Sequence, residues 1–208
     1  MPRIVKKADD RKREIIGAAR DLFREKGHEN LTMQELMDKL NIAKGTIYHH
    51  FGSKNDLLEA VVEDLIDEEL QRKKELIESR HFKKLNALEK MKQFVAQDTL
   101  AEDNENILES LHHPENAEMH AKQLGRYILK LAPLFAAIIE EGCGEGVFKT
   151  RHPLECAEFM LSGFQFLTDL GFYPWTEDQL ARRINAFSFV IEDMLGAPEG
   201  SFGFLNEK

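Results

Sequence analysis

The sequence predicts an all-α protein of about nine helices, with a small N-terminal three-helix domain (residues 1–55) and a larger C-terminal helical domain (residues 56–208). Three observations predict this. Apolar residues recur at i, i+3, i+4 and i+7 in one segment after another, and no stretch persuasively alternates as a strand. Capping-box spacings at Thr32/Glu35, Ser53/Asp56 and Thr176/Gln179 mark helix starts, while Gly27, Asn41, Gly171 and Gly196 mark stops. Charge is also unevenly shared. Residues 1–55 hold 12 Lys/Arg against 8 Asp/Glu, a balance of +4, and the remaining residues hold 16 against 29, a balance of -13, within a net charge of -9.

In chain order, residues 1–8 carry Arg3, Lys6 and Lys7 without periodicity and read as a basic arm or an ordinary solvated tail. Asp9 or Asp10 caps a helix through Lys26, whose inward stripe is Ile15, Ala18, Ala19, Leu22 and Phe23. Gly27 stops it. Thr32 and Glu35, with Leu31 and Leu36 as a hydrophobic staple, start a helix at Met33, and Asn41 tolerates the left-handed exit. After the turn from Asn41 to Ala43, Ala43, Ile47 and Phe51 repeat at i, i+4, i+8 and are expected to face inward. Lys44, Gly45, Tyr48 and His49 then face out. Glycine inside a helix costs about 1 kcal/mol relative to alanine, so Gly45 suits a place where another backbone comes close. Lys54 falls at the first position of the next helix, where its ammonium and the free N–H groups can meet an anion.

That long helix is apolar at Leu57, Leu58, Val61, Val62, Leu65 and Ile66, and its charged far half, Asp67 to Lys74, reads as a solvated face. Phe82 to Leu100 reads as one amphipathic helix and Asn104 to Leu111 as a short one. Pro114 opens a helix carrying Tyr127, Leu131, Phe135 and Ile139, which Pro133 is expected to kink, and Gly142, Gly144 and Gly146 break the chain. Pro153 suits a first helical position. Phe159, Met160, Phe164, Phe166, Leu167 and Leu170 make that helix apolar on more than one side, and one side is expected to meet another subunit. Gly171 and Pro174 turn the chain into a last helix containing Ile184, Phe187, Val190, Ile191, Met194 and Leu195. Ala197 to Lys208 reads as a loose tail in which Phe202, Phe204 and Leu205 are able to dock.

Two short helices joined by a three-residue turn, the second with a cationic, small and polar outer face, match the helix-turn-helix design. The basic N-terminus supplies an electrostatic footprint for phosphate, and the acidic remainder is repelled by it, so only one end should touch a duplex. The run Leu31 to Leu58, which includes Thr-Ile-Tyr-His-His-Phe-Gly-Ser-Lys-Asn-Asp-Leu-Leu, resembles the DNA-binding domain of the TetR family of bacterial transcriptional regulators. Ile15, Ala18, Ala19, Leu22, Phe23 and Gly27 extend the resemblance upstream. Beyond residue 60 it is one of length and helical pattern only.

The resemblance implies contacts to double-stranded DNA. Tyr48 and Lys54 match phosphate-holding positions, Thr32 and Gln34 match further backbone-contacting positions, and Lys44, Gly45, Thr46 and His49 match the face that reads bases. A homodimer, joined through the last two long helices, is expected on a palindromic operator, and the lack of an apolar signal region in Met1 to Lys7 makes a cytoplasmic protein the expectation. Repression would be released by a small-molecule effector, partly apolar, in the C-terminal domain. Met91, Phe94, Tyr127, Phe135, Phe164 and Trp175 lie on helices or turns that could line one cavity for it.

Other classes are weaker. No phosphate loop, nucleophile elbow or paired catalytic carboxylate stands out, so neither an enzyme nor a cofactor is expected. The longest uncharged apolar run, Leu131 to Ile139, is far below the roughly 18 residues a membrane span needs. His112, His113 and His120 cluster with Glu115, Glu118 and Met119, but their spacing crosses Pro114 and makes no familiar ligand motif, so no metal is assigned. A metal-responsive sensor and a constitutive DNA-binding protein without an effector remain the alternatives. Two cysteines, Cys143 and Cys156, fit a reducing compartment, and a redox role across the glycine-rich turn stays open.

Overall fold

The computed structural model describes residues 8–97 and 104–206. The basic arm of Arg3, Lys6 and Lys7 therefore lies outside the described residues, as does the stretch expected to carry a helix to Leu100. The described residues form nine α-helices and no strand: α1 Ala8–Asn30, α2 Met33–Leu40, α3 Lys44–His50, α4 Lys54–Glu78, α5 Ala87–Ala96, α6 Glu105–Leu111, α7 Ala117–Gly144, α8 Pro153–Thr168 and α9 Glu177–Leu195. Short 3-10 turns occupy Phe82–Lys84, Pro114–Asn116 and Gly203–Asn206. Among the described residues, no helix is long and apolar enough to cross a membrane.

The chain packs as two compact units. The first contains residues 8–68 and 104–120, and the second residues 69–97 and 121–206. In the first unit, Gly27 interrupts α1 with φ 75° and ψ 161°, outside the helical region and at positive φ, which glycine adopts without a Cβ penalty. The anticipated stop is thus an internal break, after which one more helical turn carries His28. Ile15, Ala19, Phe23, Leu31, Leu36, Ile47, Leu57, Leu58 and Val61 form the core. Ala43 is exposed rather than inward-facing, because it is the N-cap of α3 and has extended backbone. The helix α6 packs on α1, where Arg24 Nε donates to Asn104 Oδ1 at 2.9 Å and Asn106 Nδ2 donates to the Arg24 carbonyl at 2.7 Å.

In the second unit, the stretch read as one helix from Phe82 divides into a 3-10 turn and α5. A capping box between Asn86 and Glu89 restarts the helix, with Glu89 N donating to Asn86 Oδ1 at 3.0 Å. The helix α7 continues through Pro133 to Gly144. Gly142 allows a close approach: a Cβ there would lie 2.2 Å from the Phe148 ring and 3.0 Å from Ala87 Cβ. Phe148 is itself fully buried. Gly142→Ala is therefore expected to destabilise the second unit by about 1–3 kcal/mol through overpacking, despite the roughly 1 kcal/mol that alanine gains in a helix. Urea unfolding checks this, and a variant as stable as the parent would contradict the packing described.

Two further readings of the sequence are corrected by the structure. The far half of α4 is not a solvated face, because Glu69, Leu70 and Lys73 are buried. They continue the stripe of Val62, Ile66 and Leu76 at helical spacing, so two charged residues sit in an apolar row. The C-terminal segment is not loose either. Phe202 is buried, its ring lies 6.2 Å from that of Phe148, and its N–H donates to the buried Glu192 Oε1 at 2.9 Å. The outer faces of α8 and α9 expose Phe159, Phe166, Leu167, Phe189 and Val190.

Candidate nucleic-acid interface and ligand cavity

The first unit builds its outward surface on α2 and α3. Thr32 caps α2: its hydroxyl accepts from Glu35 N at 3.2 Å, and its own N–H donates to Glu35 Oε2 at 2.9 Å. Glu35 also accepts from Lys26 Nζ at 2.6 Å. The Lys26 hydrogen bond first, and then those from Thr32, hold the Glu35 carboxyl at about 2. Gln34 is exposed and donates to Asp38 Oδ1 at 2.7 Å. Asn41 takes the left-handed exit with φ 50° and ψ 50°, which turns the chain into α3.

Burial of Ile47 fixes which face of α3 points out. Lys44, Gly45, Tyr48 and His49 are exposed, and Thr46 is half-buried. Tyr48 keeps 42% of its surface, and Lys44 Nζ lies 5.5 Å from the centroid of its ring. No side chain caps α3 at Ala43. Cationic character gathers beside the exit of α3: burial, then His49, Lys12 and Arg11, push the His50 imidazole below its ordinary value. Phe51 closes the unit underneath, with Lys12 Nζ 5.9 Å from its ring centroid.

Lys54 stands at the first position of α4, yet its ammonium does not project outward. It donates to the carbonyl of His28 at 2.8 Å and to that of Glu29 at 3.2 Å, capping the end of α1. A cation on free carbonyls at a helix C-terminus is favourable, and the spacing of capping residues gave no hint of this long-range contact. His28 lies buried in the same corner, its ring 5.5 Å from Phe23, and neither ring nitrogen has a hydrogen-bond partner. Burial first, and Lys54 second, lower its proton affinity from the ordinary value of 6.5. The folded state therefore binds fewer protons than the unfolded one below that value, and stability should fall as pH drops through 6.5. Thermal melts across pH 5–8 check this, with His28→Phe expected to flatten the dependence at the His-titrating end; a parent curve already flat there would contradict it.

The second unit contains an apolar cavity of about 110 Å³ between α4, α5, α7, α8, α9 and the C-terminal segment. Five of the expected lining residues, Met91, Phe94, Tyr127, Phe135 and Phe164, meet there, with Phe94 and Phe135 edge-to-face at 4.8 Å. Trp175 is not among them. It sits on the loop before α9, where its Nε1 donates to the Leu167 carbonyl at 2.9 Å and its ring is covered by the Arg183 guanidinium at 3.4 Å and by Tyr173 at 5.0 Å. Lys73, Leu131, Met160, Phe187, Phe202 and Leu205 complete the wall. The helical phase shared by Ile66, Glu69 and Lys73 is the signal that would have found Lys73. The apolar residues of the C-terminal segment marked Phe202 as able to dock, but nothing local in sequence places it at this wall.

Of the residues singled out for sensing, His112 and His120 bring their rings to 5.3 Å in the first unit. In the second, Cys143 and Cys156 share one neighbour: Cys143 Sγ donates to the Thr150 carbonyl at 3.5 Å, and Cys156 Sγ lies 3.1 Å from Thr150 Oγ1.

A family model described as bacterial regulatory proteins, tetR family, matches residues 15–61, from α1 into α4. Another, described as tetracyclin repressor-like, C-terminal domain, matches residues 99–190. The chain belongs to the TetR family. Among TetR-type relatives, it is 24% identical over 163 residues to the HTH-type transcriptional repressor KstR2 of Rhodococcus jostii, which is 76% of this chain and 75% of that protein. Against the HTH-type transcriptional regulator UidR of Escherichia coli, identity is 38% over 68 residues, 33% of this chain and 35% of that one. A solved transcriptional regulator from Cytophaga hutchinsonii has the same fold, with a TM-score of 0.64 at 22% identity over 94% of this chain and 96% of that chain. As a TetR-family protein, this chain is a DNA-binding regulator of transcription rather than an enzyme.

Proposed function

We propose that this protein is a cytoplasmic homodimeric repressor that holds a palindromic operator through α2 and α3 and releases it when a small, partly apolar effector occupies the cavity of the second unit. In functional terms residues 1–55 read DNA, and residues 56–208 bind effector and partner. The observation that carries this reading is the presence, in one chain, of an exposed α3 face and an apolar cavity lined by buried aromatic rings. A constitutive DNA-binding protein has no need of the cavity. Lys44, Gly45, Thr46 and His49 are assigned to base edges, with Gly45 letting the duplex come close. Thr32, Gln34 and Tyr48 hold phosphates, joined by Lys54 through the free N–H groups that begin α4. The exposed apolar faces of α8 and α9 are assigned to the partner protomer, because a two-fold dimer presents paired recognition helices to paired half-sites. Release requires the effector to bind two states of the protein unequally, typically by about 1–3 kcal/mol.

Selection of bound duplexes from a random pool at near-physiological salt tests the reading. The expected product is a palindrome with half-site centres roughly 34–36 Å apart; a folded dimer that enriches no sequence would overturn it. On the selected duplex, Tyr48→Ala should weaken binding on all sequences alike, whereas His49→Ala should cost about 1–3 kcal/mol at particular positions. Titrations of matched and mismatched duplexes separate the two behaviours.

A further inference from the structure

Resting on the effector reading above, we propose that the second-unit cavity selects an uncharged, predominantly apolar ligand and rejects carboxylates and ammonium ions of the same carbon skeleton. Its wall is aromatic and aliphatic, and the polar side chains that reach it are Lys73, Gln165 and Tyr127. Lys73 is the one charged group on the wall among the described residues, and its charge is already matched. Its Nζ lies 3.5 Å from Glu69 Oε1 and donates to the Phe94 carbonyl. Both side chains are sealed from water, at 3% and 0% exposure. Glu69 gives its other oxygen to Arg72 at 2.8 Å, and the Arg72 head is half in solvent, where its charge is screened.

An entering carboxylate would lose its hydration, find the lysine committed, and meet the Glu69 charge behind it. An entering ammonium would find Glu69 already shared between two cations. Either ion would be buried without a counter-charge of its own, which is unfavourable. A neutral apolar body meets no such cost and gains by leaving water. A single hydroxyl or carbonyl oxygen on it can be served by the Gln165 amide at the wall.

Decan-1-ol, decanoate and decylamine share a skeleton and differ in head charge, so calorimetric titration of each into the full chain at neutral pH reads the selection directly. Decan-1-ol is expected to bind at least about tenfold tighter than either ion. Glu69→Gln leaves Lys73 unmatched and should raise decanoate affinity about tenfold, and adding Lys73→Met to it should restore the preference for decan-1-ol. Should Glu69→Gln fail to fold, Lys73→Met alone should shift preference toward decylamine by a similar factor. Leu131→Trp, which fills the cavity, should abolish binding, and decan-1-ol binding that survives it would overturn the proposal. Decanoate or decylamine binding to the parent as tightly as decan-1-ol would overturn the charge selection and leave the effector cavity standing; binding by none of the three would overturn both.

Discussion

Phe94→Ala is expected to destabilise the second unit by about 3–5 kcal/mol, the range for truncating a buried phenylalanine with incomplete collapse around the gap. The ring is fully buried, stands edge-on to Phe135 at 4.8 Å, lies 6.5 Å from Phe82, and carries the Lys73 ammonium 4.8 Å above its face. Alanine keeps the backbone carbonyl that Lys73 uses, so what is lost is the ring: its apolar area, its aromatic contacts and its attraction for the cation. Trp175 is the only tryptophan in the chain and belongs to this unit, so its fluorescence during urea unfolding reports the loss. A change below about 1 kcal/mol would mean that the site collapses freely or that the ring is not packed as described.

Ile47→Ala should cost the first unit about 2–5 kcal/mol. Ile47 is the buried residue of α3, a helix of seven residues with no side-chain cap, and a helix so short owes its stability to tertiary packing. Loss of that anchor should unfold α3 before the remainder and abolish operator binding, even though Ile47 faces the core and is assigned no contact with DNA. Circular dichroism and duplex titration check the two halves of this result, with the Trp175 signal serving as a control that the second unit is intact. Operator binding preserved at parental affinity would show that α3 is held by something other than its inward face.

The legible parts of this fold are those written in local chemistry. Thr32 with Glu35 and Thr176 with Gln179 are spaced to close capping boxes, and both close. Asn41 and Gly196 adopt the left-handed exits their residue types favour. The exposed face of α3 followed from the four-residue spacing between Ile47 and Phe51, although Ala43, one turn earlier, had already left the helix as its N-cap. The parts that were not legible depend on long-range contacts. Glu69 and Lys73 look solvated because they are charged, and only their pairing and the carbonyl of Phe94, far along the chain, make burial tolerable. Lys54 reads as an outward cation until the end of α1 folds back beneath it. Phe202 reads as tail until Glu192 supplies an acceptor for its N–H. The cavity was anticipated in five residues because aromatic side chains on neighbouring helices converge, whereas Trp175 satisfied its indole N–H on Leu167 instead.

Whether the outward face of α3 reads base sequence is decided most directly by selecting duplexes from one random pool with the parent, Lys44→Ala and His49→Ala proteins side by side, at one salt concentration. The enriched sequences are then compared. Each variant is expected to enrich a two-fold symmetric site still, but to relax or change its preference at a small number of base pairs placed symmetrically in the two half-sites. Identical enriched sequences from all three proteins would contradict this assignment, and would move the reading of DNA away from α3.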